Sequence, residues 1–233
     1  MRIRIFGIAS IALTLLSAAA TSHAQVLSTA YWGSYSSGVI KGTLGNTTIS
    51  VPVDVSYGTI SSDNWNSLLA PGHLTPSPGF TSATLSSLSN SGARIGSATT
   101  SSESISFSNP TFDPIMLVNY GTNHMSLTFT PASILNVSTS PLASYNSGTG
   151  LVSFNNTNTN DPSTGIFVQF NGTYGNGTNG YNPLTFTLDG TNSAQSAAYI
   201  TFGTQLAVPE PGSCALLIGL GVTGLMAARR KRK

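Results

Sequence analysis

The sequence predicts an all-β protein: an antiparallel β-sandwich of jelly-roll-like form, flanked by an N-terminal signal peptide and one C-terminal transmembrane helix. Three observations predict it. Apolar residues recur at every second position in several short runs, the pattern of a strand with one face buried. Turn formers separate those runs, at Asn109-Pro110, Ser147-Gly148, Asn160-Asp161-Pro162 and Asn171-Gly172. Between residues 25 and 207 only the stretch 62–70 has helical character, with Ser62 as its cap and Trp65, Leu68 and Leu69 on one face. Many short strands with almost no helix make a sandwich.

The chain opens with Arg2 and Arg4, an uncharged apolar stretch over 5–16, and the small-x-small site Ser22-His23-Ala24. This is the pattern of a secretory signal peptide over 1–24, cut by signal peptidase between Ala24 and Gln25. The exported domain, 25–207, is long enough for one sizeable core. Its clearest strand has Ile49, Val51, Val53, Val55 and Tyr57 alternating with Ser50, Pro52, Asp54 and Ser56. Pro52 has no N–H for a ladder, which puts this strand at a sheet edge or turns its prolyl side to solvent. The stretch 71–91, rich in Pro and Ser, reads as an extended surface loop. Met125, Leu127 and Phe129 alternate, as do Leu184, Phe186 and Leu188. The continuous apolar runs 115–118 and 166–170 read as more fully buried strands. Weaker candidates at 39–40, 105–107, 133–137, 151–154 and 198–202 bring the number to roughly ten.

The C-terminal segment is a second address. Residues 212–228 contain no charge. At ~1.5 Å per residue they span roughly 25 Å, against a bilayer core of about 30 Å. Five cations follow: Arg229, Arg230, Lys231, Arg232 and Lys233. Positive charge stays cytoplasmic, so the helix stops transfer with the tail inside and residues 25–207 outside. Cys214, the single cysteine, lies in this helix, and the exported domain therefore carries no disulfide although it enters an oxidising compartment.

Charge excludes other classes. Only 7% of residues are charged, too few for a coiled coil or a charge-rich disordered tail. The net +2 comes from the two ends. Between them stand two cations, Lys41 and Arg94, and six acids, Asp54, Asp63, Glu103, Asp113, Asp161 and Asp189, so the middle is 2 − 6 = −4. A nucleic-acid binder needs phosphate contacts from its folded face, and this middle does not supply them.

Val208, Pro209, Glu210 and Pro211 stand just before the helix. The two prolines hold the chain extended around Glu210, accessible to a protease at the membrane surface. A Pro-Glu-Pro motif, an apolar helix and an Arg-rich end within the last 26 residues resemble the PEP-CTERM sorting signal of Gram-negative bacteria, over 208–233 only. The resemblance implies recognition of Pro209, Glu210 and Pro211 by exosortase, a membrane-embedded cysteine protease, and removal of the helix and tail. It also implies a place at the cell surface or in the extracellular matrix, in association with exopolysaccharide or biofilm.

The exported domain shows no HExxH, no Cys-His cluster and no Gly-x-Ser-x-Gly, and no enzymatic role is expected of it. Its two histidines, His73 and His124, are far apart in sequence. No cofactor is expected. Calcium is a better metal candidate than a site of the two histidines with a carboxylate, through the loop oxygens of Asn158, Asn160 and Asp161 and those of Asp189 and Asn192. Tyr31, Trp32, Tyr35, Tyr174 and Tyr181 are candidates for a sugar-stacking surface. The alternative readings are a calcium-dependent carbohydrate-binding module, a secreted hydrolase and an uncleaved single-pass membrane protein.

Overall fold

Short segments that alternate apolar and polar residues bury one face by packing sheet against sheet. The computed structural model describes residues 25–52, 60–62, 65–69, 72–76, 91–96, 99–119, 121–157, 164–190 and 197–207. In chain order the strands are β1 (Gln25–Thr29), β2 (Tyr31–Ser36), β3 (Val39–Leu44), β4 (Thr47–Pro52), β5 (Ile60–Ser62), β6 (Ser91–Gly96), β7 (Ser101–Phe107), β8 (Thr111–Phe112) and β9 (Ile115–Asn119). They continue with β10 (Met125–Phe129), β11 (Ile134–Thr139), β12 (Ala143–Asn146), β13 (Leu151–Phe154), β14 (Ile166–Phe170), β15 (Thr173–Tyr174), β16 (Leu184–Gly190) and β17 (Ala197–Ala207). One helical turn, Trp65–Leu68, follows β5, and a 3-10 turn, Pro131–Ser133, precedes β11. Leu27–Leu206 is one compact unit. Of the second unit, Met1–Val26 with Ala207–Lys233, the described residues are 25, 26 and 207, all in strands.

A seven-stranded sheet runs β11-β14-β9-β17-β6-β5, with β1 also on β17. An eight-stranded sheet runs β12-β13-β10-β16-β7-β4-β3-β2, and β8 pairs with β15 apart from both. Neighbours run antiparallel, as in β10 with β16 and β17 with β9. The chain changes directly between these two sheets from β1 to β2, β4 to β5, β6 to β7, β9 to β10, β10 to β11, β11 to β12, β13 to β14 and β16 to β17.

One buried cluster draws on both sheets. Ile49, Val51, Phe107, Leu127, Phe129 and Phe186 come from the eight-stranded sheet, and Met116, Val118, Val168, Phe170, Ile200 and Phe202 from the seven-stranded one. Aromatic rings lock the two together. Phe107 meets Phe202 edge-on at 5.7 Å, and Phe129 meets Phe170 at 5.5 Å, each a favourable quadrupolar arrangement.

A second cluster covers the other face of the seven-stranded sheet. Ile115, Leu117 and Phe167 project there and pack with Leu27, Trp65, Leu68, Leu69 and Leu74. Hence β9 is buried at every position, and its continuous apolar run is explained: Met116 and Val118 face one cluster, Ile115 and Leu117 the other.

Several expectations are corrected. The helical character over 62–70 shrinks to one turn, and Ser62 ends β5 rather than capping a helix. β4 lies inside the eight-stranded sheet, not at its edge. Pro52 is tolerated because it ends β4, and the pairing with β7 covers Ile49 and Ser50 only, so no ladder bond needs its missing N–H. Part of the expected surface loop 71–91 is anchored. Leu74 is buried, and Thr75 exchanges backbone hydrogen bonds with Thr139 at 2.9 and 3.0 Å. The described strands number seventeen, because segments such as β2 and β6 pair without carrying the apolar alternation themselves.

Candidate functional site

The two sheets differ on their outward faces. Helix and loop cover the seven-stranded sheet, whereas the eight-stranded sheet presents hydroxyls. Alternation places them there: Leu184, Phe186 and Leu188 of β16 are buried, and Thr185, Thr187 and Asp189 point the other way. The registers join them into rows across the strands. Ser144, Ser153, Ser126 and Asp189 form one row, with Ser144 opposite Ser153, Ser153 opposite Ser126, and Ser126 opposite Asp189. Thr128, Thr187 and Ser102 form the next, and Thr185 faces Ser104. Ser106 faces Ser50, which faces Lys41. Thr48 faces Thr43, which faces Tyr31. None of these side chains is buried. Thr favours strands, and a Ser or Thr in this position leaves its hydroxyl to solvent.

At the β2 end this face holds a groove of about 530 Å³. Tyr31, Gly33, Val39, Lys41, Thr43 and Thr48 line it, and none of its described lining residues is acidic. A register shift in β2 builds it. Trp32 is opposite Gly42 and Tyr35 opposite Ile40, with the irregularity between them. Alternation buries Trp32 and leaves Tyr31 69% exposed; the extra residue then breaks the alternation, so Tyr35 also packs against the core. Gly42 makes room for Trp32: a Cβ there would come within 2.8 Å of the indole. The Trp32 Nε1–H donates to Thr201 Oγ1 at 3.0 Å, so the buried indole has its partner.

The expected sugar-stacking aromatics therefore separate. Trp32 is in the core, Tyr35 and Tyr174 pack against it, and Tyr31 and Tyr181 are exposed. A second groove, of about 440 Å³, lies between the β3–β4 turn and β8, where Phe112 is 71% exposed.

In the Asn-rich loop between β15 and β16 the Asn176 and Asn179 side-chain oxygens find their donors within the loop. Asn176 Oδ1 accepts from Thr178 Oγ1 at 2.8 Å and from the amides of Thr178 and Asn179 at 3.0 Å. Asn179 Oδ1 accepts from the amides of Asn176 and Tyr181, both at 3.3 Å. These oxygens serve turns. Nearby, the Asp113 amide donates to Gly172 O, and Asp113 Oδ1 accepts from the Gly172 amide, both at 2.8 Å. This pair holds β8 against the start of β15.

Burial pushes the Tyr174 phenol above its ordinary value of 10.0. A hydrogen bond with Ser133 opposes the rise and the Asp113 carboxylate adds to it. A raised folded-state pKa means that the folded chain holds this proton more tightly than the unfolded one. Its stabilisation is complete below pH 10.0 and is lost as pH rises through the raised value. Urea midpoints should thus fall above that pH, and Tyr174→Phe should remove its share of the slope. An unchanged alkaline slope in the variant would contradict this account.

Several predicted site residues lie outside the described residues: Ala24; Val208, Pro209, Glu210 and Pro211; the helix 212–228; Arg229, Arg230, Lys231, Arg232 and Lys233; and the calcium candidates Asn158, Asn160, Asp161 and Asn192. Gln25 is the first residue of β1. Among the described residues no helix is long and apolar enough to cross a membrane, and no group of three or more His, Cys, Asp or Glu is placed to hold a metal. Asp189 Oδ1 accepts from Thr100 Oγ1 at 2.8 Å. The hydroxyl rows were missed in the sequence because isolated Ser and Thr carry no motif. The signal was their recurrence opposite each apolar position of β7, β10 and β16.

No curated protein and no solved structure matches the chain. Residues 207–233 match the PEP-CTERM protein-sorting motif, and it is to this family of sorting signals that the C-terminal segment belongs.

Proposed function

We propose that this chain is an exported, non-enzymatic surface or matrix protein: a jelly-roll sandwich delivered by signal peptidase and exosortase to a polysaccharide-rich exterior. The observation that carries the reading is the sorting motif over 207–233. It supports export and sorting by exosortase. β17 runs to Ala207, the first residue of the matched segment, so the fold leads into the motif without a spacer. The strand orders β6-β17-β9-β14 in one sheet and β7-β16-β10-β13 in the other support the jelly-roll description. In this reading the C-terminal helix holds the chain in the inner membrane, tail inside, until exosortase cuts.

The hydroxyl face of the eight-stranded sheet supports the matrix role. Rows of Ser and Thr can donate to and accept from a hydrated polymer at many points, each weak, without a charged site. Intact-mass measurement of protein from membranes and culture supernatant, in hosts with and without exosortase, tests the delivery. The expected mature species begins near Gln25, ends within 208–211, and is missing without exosortase. A membrane species retaining Lys233 in both hosts would sink the sorting reading. The non-enzymatic part is checked by a turnover screen on polysaccharide and ester substrates, with no turnover expected.

A further inference from the structure

We infer that the groove over β2, β3 and β4 is a binding site for an acidic polysaccharide, with Lys41 taking a sugar carboxylate and Tyr31 the face of a sugar ring. The inference rests on the matrix reading above and adds the ligand class and its residues. The argument begins with charge. The segment 25–207 holds Lys41 and Arg94 against six acids. A polyanion is repelled by such a surface except where a cation stands clear of carboxylates. Lys41 is exposed and outward-facing, and none of the described residues that line the groove is an Asp or Glu.

The second argument is geometry. Tyr31 lies directly opposite Thr43 on β3, and Lys41 is two residues from Thr43 on the same face. A diagonal pair of this kind sits about 7–8 Å apart, within reach of one aromatic and one long side chain acting on the same ligand. Gly33 puts no side chain on the floor beside them. Tyr31 at 69% exposure has an open ring; a pyranose presents apolar C–H faces that pack on such a ring. Thr43 and Thr48 supply hydroxyls in the adjoining row.

The third argument is continuity. Lys41 is opposite Ser50, and Ser50 is opposite Ser106. The groove thus opens onto the hydroxyl rows of β7 and β16, and a polymer held at Lys41 can continue across the sheet. A small ligand would not use that surface. An extended chain would, gaining affinity from repeated weak contacts along its length.

The test uses the full chain purified in mild detergent, with three probes: alginate as a polyuronate, dextran as a neutral polysaccharide, and polyglutamate as an anionic polymer without sugar. Alginate is expected to bind most tightly and to weaken as salt rises from 0.1 to 1 M, because exposed charge pairs are screened over that range. Lys41→Ala should weaken alginate binding about tenfold and leave dextran unchanged. Lys41→Arg should restore it. Tyr31→Ala should weaken both polysaccharides several-fold, about fivefold for a lost ring contact. Both side chains stand on an exposed face, and circular dichroism verifies that the fold is kept in all three variants.

Equal binding of alginate and polyglutamate would overturn the sugar assignment. Alginate binding that Lys41→Ala leaves intact would overturn the site. Dextran binding without preference for alginate would sink this inference while leaving the matrix reading in place. Binding to neither polysaccharide would remove both.

Discussion

Replacing Gly150 by alanine is expected to destabilise the exported domain by roughly 3 kcal/mol or more, the scale of backbone strain combined with overpacking. Gly150 closes the turn between β12 and β13 with φ +73°, a left-handed conformation that L residues resist. A Cβ at this site would also overlap the carbonyl oxygen of Phe129. Neither side can yield. The Phe129 amide donates to Gly150 O at 3.0 Å, and the Gly150 amide donates to Asn146 O at 2.8 Å. The Phe129 ring is wedged against Phe170 and Phe186, at 5.5 and 5.6 Å. Gly38 is the control: its φ is +78° but no described residue lies within 4 Å of a Cβ there. Gly38→Ala should cost about 1–2 kcal/mol, from conformation alone. Urea unfolding of the two variants separates the effects, and equal losses would show that the overlap with Phe129 is relieved without strain.

Trp65→Ala is the second large expectation, at about 3–5 kcal/mol. Trp65 is fully buried, and its indole N–H donates to Ser91 O at 3.1 Å. It sits against Gly92, where a Cβ would come within 2.7 Å of the ring. Removing the indole opens a cavity over Ile115, Leu117 and Phe167 and leaves the Ser91 carbonyl without this donor. The outward face of the seven-stranded sheet would then be a partly uncovered apolar surface, prone to self-association. Thermal melts by far-UV circular dichroism, with light scattering, read both effects. The other sheet should behave oppositely. Ser104→Ala, on the hydroxyl face, should change stability by less than about 0.5 kcal/mol. A large loss there would mean that the hydroxyl face is structural.

The two outward faces differ in what they bury. One face of the seven-stranded sheet is closed by Trp65, Leu68, Leu69 and Leu74. Among the described residues no comparable apolar cluster covers the outward face of the eight-stranded sheet, whose alternate residues are largely hydroxylic. Apolar side chains there would demand cover; Ser and Thr do not.

What the sequence by itself determined is local. The alternation at Ile49 and Val51, at Met125 to Phe129 and at Leu184 to Leu188 named three strands, because each carries its own period-2 pattern. The sorting segment was legible for the same reason: its motif, apolar stretch and cations are contiguous, and the match over 207–233 needs no tertiary contact. What only the tertiary structure decided is non-local. β6 reads Ser-Gly-Ala-Arg-Ile-Gly and is a strand because Ala93 to Gly96 pair with β17, more than a hundred residues away. Tyr31 and Trp32 are adjacent aromatics with similar neighbours. Which of the two meets the core is set by the pairing with β3, and the register shift between Trp32 and Tyr35 then brings Tyr35 to the core side as well. The groove, the hydroxyl rows and the closed face all follow from pairings of that kind, which no single segment encodes.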